Sequence, residues 1–188
     1  LAPTFHYGMS GFKIRFTGTS LGLAFQEDGY GEGNWIGIRI DDGAEIRQYL
    51  KPGLNERHQI ASGLKPGSHD ALIYRRSDAW RGSFAFKGIA LDPDARLLEP
   101  PARPKRRIEF YGDSVTAGGG VEAIGYENLQ DDQIRTSNEV GVLDNAYHSF
   151  ASMTARALNA EANVNGIGGL ALFDGTGYFN TPETVGFE

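Results

Sequence analysis

The run Arg106-Arg107-Ile108-Glu109-Phe110-Tyr111-Gly112-Asp113-Ser114-Val115-Thr116-Ala117, followed by Gly118-Gly119-Gly120, decides how this chain is read. Ile108 and Phe110 alternate with Glu109 and Tyr111, the period-two pattern of a strand with two different faces. Gly112 offers the backbone freedom for a sharp exit, and Ser114 stands where a helix would begin. Unpaired amides at a helix N-terminus favour negative charge, which an acyl-transfer transition state develops on its oxyanion. The run therefore reads as strand, tight turn, hydroxyl and helix start, with Ser114 the candidate nucleophile. The competing reading is an ordinary Gly-Asp-Ser turn whose serine caps the helix.

Moving outward, the chain changes character near residue 100. Before it lie short β-like runs separated by glycine-rich turns, at Phe12–Phe16, Leu21–Gln26, Trp35–Ile40, Glu45–Leu50, Arg57–Ala61, His69–Arg75 and Ser83–Leu91. Strands at this spacing without a helical period predict an antiparallel β-sandwich over residues 1–98. Residues 99–106 carry Pro100, Pro101 and Pro104 among basic side chains, which marks a linker. The basic cluster abuts a strand in an acidic protein, so it does not read as a nucleic-acid patch. From residue 107 to 188 the order strand, loop, helix, strand opens a three-layer α/β fold.

The helix of this second part has Asp144 as its expected N-cap, with Tyr147, Phe150, Thr154, Ala157 and Leu158 on one face and Asn159 as its stop. Ala160–Asn165 is the expected next strand, leading into Gly166-Ile167-Gly168-Gly169-Leu170-Ala171. That block also fits the dinucleotide pattern G-x-G-x-x-A, although the strand before it is polar.

Composition limits the functional classes. The chain has 188 residues, 40% hydrophobic and 22% charged, enough for a sizeable core in one or two domains. A net charge of -6 argues against nucleic acid or an anionic membrane surface as partner, and no apolar run reaches the roughly 20 residues of a membrane helix. Zero cysteines exclude disulfides, thiolate metal sites and a cysteine nucleophile. The acidic residues form no recognisable ligand spacing, so neither a metal nor another cofactor is expected.

The stretch from Arg107 to Ala117 resembles the first block of the GDSL, or SGNH, hydrolases, in which a strand ends in Gly-Asp-Ser and the serine is the nucleophile. Gly11 to Leu21, Gly63 to His69 and Tyr74-Arg75-Arg76-Ser77-Asp78-Ala79 are similar to the N-terminal β-sandwich of carbohydrate esterase family 2. Asp144 to Leu158 and Gly166-Ile167-Gly168-Gly169 are similar to that family's next helix and second glycine block, while the polar stretch from Gly120 to Val140 looks like an insertion. The resemblance implies a jelly-roll-like sandwich followed by the first part of an SGNH hydrolase domain. It implies an acetyl ester of a polysaccharide or sugar as substrate, and a secreted or periplasmic bacterial protein. It also places an oxyanion amide on Gly169, with Gly168 and Gly166 as alternatives.

The same resemblance calls for a Gly-x-Asn-Asp block and a late Asp-x-x-His block, neither of which occurs here. His6, His58 and His69 belong to the sandwich, His69 resembling a structural position of the family, and His148 reads as a surface or packing residue. A serine without a base is a weak nucleophile at neutral pH. The expectation is a nick in the loop from Ala171 to Glu188, which carries Gly175, Gly177 and Pro182, with the asparagine and histidine on a second polypeptide. Two rivals remain: a non-catalytic carbohydrate-binding protein using Tyr30, Trp35, Tyr49 and Trp80 as stacking platforms, and a general GDSL lipase or thioesterase.

Overall fold

The computed structural model describes residues 2–28, 33–125, 128, 141–177 and 186–187. Tyr30, Pro182 and most of the polar stretch 120–140 lie outside the described residues. By contacts the chain forms two units: Leu1–His6, Gly11–Arg75 and Gly82–Arg103 in the first, and Tyr7–Ser10, Arg76–Arg81 and Pro104–Glu188 in the second. The sequence suggests one cut near residue 100, yet two short segments from the first hundred residues cluster with the second unit.

The first unit consists of β1 (Thr4–Phe5), β2 (Gly11–Thr17), β3 (Leu21–Glu27), β4 (Asn34–Ile40), β5 (Ile46–Leu50), β6 (Gly53–Ala61), β7 (Ser68–Arg75), β8 (Phe84–Ala90) and β9 (Leu97–Leu98). One sheet has the order β1-β8-β3-β6 and the other β5-β4-β7-β2-β9, every pairing antiparallel. All seven expected strands of this part are present. The two-residue strands β1 and β9 were too short to show an alternation. Phe12, Ile14 and Phe16 of β2 turn inward while Lys13 and Arg15 alternate with them, so period two delivers one apolar face per strand.

Those faces form a shared core. Phe16, Leu21, Leu23, Phe25, Ile36, Ile38, Leu50, Ile73 and Phe84 are fully or almost fully buried and come from both sheets. Each such side chain contributes about 1.5–3 kcal/mol by leaving water. Phe12 bridges the two layers, with ring centroids 5.8 Å from Phe5 and 4.7 Å from Phe86. Among the buried polar groups, Asn34 Nδ2 donates to Glu27 Oε1 at 2.8 Å and Arg75 Nη1 donates to the Gly82 carbonyl at 2.5 Å, whereas Trp35 Nε1 and His58 Nε2 make no hydrogen bond among the described residues. His69 sits between the Asp41 carboxylate, 2.5 Å from Nδ1, and the Lys65 carbonyl, 2.8 Å from Nε2. Two acceptors favour the doubly protonated ring. The Asp41 hydrogen bond accordingly raises its pKa above the usual histidine value, against a smaller opposing effect of burial.

In the second unit, β10 (Arg106–Gly112) pairs in parallel with β11 (Ala160–Gly166), from Arg106 against Ala160 to Gly112 against Gly166. Ile108 and Phe110 are half-buried while Glu109 and Tyr111 are exposed, as the alternation requires. Helix α1 is the single turn Ser114–Ala117. A 3-10 turn at Ala146–His148 leads into helix α2 (Phe150–Ala157), which packs on both strands. Asp144 is not the cap expected of it. Asn145 caps the 3-10 turn by accepting from Tyr147 N, and Ser149 caps α2 by accepting from Ser152 N. Asn159 follows with φ of 49°, a left-handed stop that asparagine tolerates.

The buried side of α2 is Ala151, Ser152 and Ala155, whereas Phe150 and Leu158 of the anticipated face are 52% and 48% exposed. Small side chains win the inner face because they let α2 approach the sheet closely. Among the described residues no helix is long and apolar enough to cross a membrane.

Candidate active site

All residues of this site belong to the second unit. Ser114 is the first residue of α1 and is half-buried, immediately after the carboxyl end of β10. Asp113 is the N-cap, its side chain accepting the Val115 N–H at 3.0 Å, so the serine is not the capping residue. The cap occupies the Asp113 carboxylate with turn geometry, and the Ser114 hydroxyl has no hydrogen-bond partner among the described residues. A single helical turn carries little macrodipole, which leaves individual local amides as the hydrogen-bond donors at this end of the strand.

Space, rather than backbone freedom, explains Gly112. Its φ is not positive, but a Cβ there would collide with Thr116 Oγ1. Gly166 opposite is equally constrained, since a Cβ would lie 2.8 Å from the Ala117 amide nitrogen. The glycines at the ends of the two strands thus let α1 lie directly across them.

A buried polar frame holds the segments around α1. Asp144 accepts from Gly120 N at 2.9 Å through Oδ1 and from Arg81 Nε at 3.2 Å through Oδ2. Arg76, fully buried, donates to Glu122 Oε2 at 2.5 Å, and Asn145 Nδ2 donates to Glu122 Oε1 at 2.7 Å. Asn145 N donates to the Gly118 carbonyl and Ala146 N to the Arg76 carbonyl, each at 2.9 Å. Asp144, expected at a helix start, serves instead to tie the glycine loop after Ser114 to Arg81.

The second glycine block forms a turn in which Leu170 N donates to the Ile167 carbonyl at 3.1 Å and Gly169 has φ of 83°. Gly166 is still in β11. Gly168 N–H is already engaged, pointing at the Asp78 carboxylate with 3.1 Å to Oδ1 and 2.9 Å to Oδ2. The Gly169 amide makes no hydrogen bond among the described residues. The dinucleotide reading of this block fails on the same geometry. No helix follows the turn among the described residues, and a carboxylate occupies the amide that a pyrophosphate would need.

Ser114, Gly168 and Trp80 come together: a Cβ on Gly168 would stand 3.5 Å from Ser114 Cβ and 3.2 Å from Trp80 Cδ1. Trp80 is 53% exposed, and the Arg81 guanidinium covers part of it at 4.2 Å from the ring centroid. Asp78 was quoted in the sequence only as part of a resemblance. Its role was invisible because it lies 90 residues from its glycine partner. The other aromatic candidates, Trp35 and Tyr49, pack on each other at 5.2 Å in the first unit. His148 is exposed on its 3-10 turn, and none of the four histidines hydrogen-bonds to Ser114 among the described residues.

Residues 1–101 match the family model described as Carbohydrate esterase 2 N-terminal. The chain is 30% identical over 170 residues to Cellulase/esterase CelE of Acetivibrio thermocellus, covering 90% of this chain and 19% of that protein. It is 32% identical over 161 residues to an acetylxylan esterase / glucomannan deacetylase of Cellvibrio japonicus, covering 86% and 41%. The structure of a family two carbohydrate esterase from Clostridium thermocellum in complex with cellohexaose superposes with a TM-score of 0.82 at 27% identity, over 98% of this chain and 52% of that one. The chain therefore spans about half, or less, of the length of these relatives. With more than half of its 188 residues under the family model and curated relatives at 30% and 32% identity, the chain belongs to carbohydrate esterase family 2.

Proposed function

We propose that this chain is the nucleophile-bearing part of a serine esterase that removes acetyl groups from polysaccharide or sugar esters through an acyl-serine intermediate. The observation that carries the reading is the placement of Ser114, a half-buried hydroxyl at the end of a parallel strand, beside the turn that holds the uncommitted Gly169 amide. In this reading residues 1–98 are a jelly-roll domain, in keeping with the strand orders β1-β8-β3-β6 and β5-β4-β7-β2 with β9 added beside β2, residues 99–106 are a linker, and residues 107–188 begin an SGNH hydrolase domain.

The rest of that domain supplies an asparagine for the oxyanion and a histidine base. Support comes from the second unit itself. A two-stranded parallel sheet is normally covered on both faces and extended at its edges. Here Tyr111, Phe150, Met153 and Leu158 are exposed instead. We infer that the remainder of that domain docks there and completes the sheet. A protein of residues 1–188 that folds and hydrolyses esters by itself overturns this.

The chemistry follows from the residues in place. The histidine removes the Ser114 proton as Oγ bonds to the ester carbonyl carbon; the oxyanion accepts from amides near Ser114 and Gly169 and from the asparagine. Collapse expels the sugar oxygen, which takes the proton from the histidine and leaves as the free hydroxyl; the histidine then removes a proton from the attacking water and returns it to Ser114 Oγ as acetate is released. Asp113 orients the turn. The acetyl and plant-polysaccharide assignment is supported by the names of the curated relatives, acetylxylan esterase and glucomannan deacetylase, and a secreted protein fits such a substrate.

Trp80 favours a sugar over a lipid chain, because an indole held by Arg81 beside Ser114 offers a flat stacking surface rather than an acyl tunnel. Fluorophosphonate labelling tests the nucleophile: label on Ser114 is expected, and its absence from active protein overturns the assignment. Nitrophenyl esters test the acyl group. Acetate is expected to be turned over faster than octanoate, and the reverse order would make the protein a lipase.

A further inference from the structure

The side chain that touches the glycine block comes from the far side of the sequence. Asp78 is 1% exposed, and both of its carboxylate oxygens lie within hydrogen-bond distance of Gly168 N, at 3.1 and 2.9 Å. It also lies 3.4 Å from Trp80 N through Oδ1, and its own carbonyl accepts from Arg81 N at 3.3 Å. These backbone contacts place Asp78 in the same short segment as Arg81, which is anchored to Asp144. The carboxylate is thereby held still, and it is not a mobile surface acid that happens to reach a glycine.

An oxyanion site needs N–H groups aimed at one point and no competing acceptor on them. Ile167-Gly168-Gly169-Leu170 offers four amides. Ile167 N is spent on the Gly112 carbonyl at 3.1 Å and Leu170 N on the Ile167 carbonyl. Gly168 N is spent on Asp78, leaving Gly169 N, whose left-handed φ of 83° turns the peptide plane away from its neighbour. If Gly168 N were released, the turn could rotate and its two adjacent amides would compete for one orientation. A charged acceptor holds an N–H more firmly than a neutral one.

Building on the esterase reading above, we propose that Asp78 is a positioning residue for the oxyanion site: by holding Gly168 N–H it selects the Gly169 N–H as the donor that faces the substrate carbonyl. Asp78 touches neither the substrate nor Ser114, and it transfers no proton. It acts through the peptide plane of the turn. A consequence is that its removal costs turnover rather than substrate affinity, because the misaligned donor is missed in the transition state.

The test uses the full-length enzyme, the variants Asp78→Ala and Asp78→Asn, and 4-nitrophenyl acetate. Asp78→Ala is expected to lower kcat about 100-fold with KM within about threefold, the scale of losing one oxyanion donor. Asp78→Asn retains a neutral acceptor and is expected to recover to within about tenfold of the parent. Selective 15N-glycine spectra add a readout that general loosening does not mimic. In the parent, a phosphonate adduct on Ser114 should shift the Gly169 amide and spare Gly168, whereas in Asp78→Ala both should shift.

Parental kcat in Asp78→Ala overturns the proposal, as does a parent adduct that shifts Gly168 and spares Gly169. If Asp78→Ala does not fold, the glycine spectra of the parent and of Asp78→Asn decide alone. A parent that hydrolyses the ester and is labelled at Ser114, while both variants match it, sinks the role of Asp78 and leaves the esterase reading standing. A parent that does neither sinks both.

Discussion

Gly112 of β10 stands directly opposite Gly166 of β11, and both glycines lie under the single helical turn that begins with Ser114. Neither has a positive φ, so the requirement is for room. A methyl group on Gly166 would meet the Ala117 amide nitrogen at 2.8 Å and the Asp113 carbonyl oxygen at 3.1 Å, backbone atoms that move only with the whole turn. Gly166→Ala is therefore expected to cost about 1–3 kcal/mol of stability, as overpacking does, and to lower esterase turnover further by tilting Ser114. Thermal melts and initial rates on nitrophenyl acetate check this; a variant with parental values for both would refute it.

Ser114→Ala separates catalysis from folding. The hydroxyl has no partner among the described residues, so stability should change by no more than about 0.5 kcal/mol. Turnover, in contrast, should fall by about a million-fold. A loss of less than about a thousandfold would point to a different nucleophile.

Asp113 distinguishes a cap from a proton carrier. Its side chain accepts the Val115 N–H at 3.0 Å, and replacing such a cap by alanine costs about 1 kcal/mol. Asp113→Ala is expected to lose that stability while keeping activity within about tenfold, and Asp113→Ser should restore most of it. A loss comparable to that of Ser114→Ala would make Asp113 part of the proton transfer.

His69 links stability of the first unit to pH. The hydrogen bond that His69 Nδ1 donates to Asp41 raises its folded-state pKa above the unfolded value, so the charged ring stabilises the fold. That contribution is fully present below the unfolded pKa of about 6.5 and is lost as pH rises through the folded pKa. Chemical unfolding followed from pH 6 upward should show this decline, and His69→Gln should remove it. A profile unchanged by His69→Gln would show that the pair contributes nothing to the pH dependence.

Trp80 should matter for sugars and little for small esters. Its indole is 53% exposed, steadied by Arg81 at 4.2 Å and adjacent to Gly168. Trp80→Ala is expected to raise KM for acetylated polysaccharide about tenfold, in line with loss of one stacking contact of 1–1.5 kcal/mol. KM for nitrophenyl acetate should stay within about threefold. Equal effects on both substrates would assign the indole to packing.

The strands were legible because their cause is local. Alternating apolar residues in Phe12 to Phe16, Trp35 to Ile40 and Ile108 to Phe110 are the same feature that buries one face of β2, β4 and β10. The face of α2 was misjudged for a related reason. Phe150 and Leu158 are the larger apolar side chains, but close helix-to-sheet approach selects Ala151, Ser152 and Ala155. The glycine block was visible as a motif, yet which amide it leaves uncommitted was not.

By itself the sequence determined the main segments of the seven longer strands of the first unit, the Gly-Asp-Ser turn at the end of a strand and the family to which these motifs belong. Tertiary structure alone decided that Arg76–Arg81 clusters with the second unit, that Asp144 braces Arg81 and Gly120 rather than capping a helix, and that Asp78 holds Gly168 across 90 residues. The division has one physical origin. Backbone alternation and turn chemistry are set by neighbours in the chain, whereas the partner of a buried carboxylate depends on which distant N–H the fold brings within 3 Å of it, and nothing in local spacing encodes that meeting.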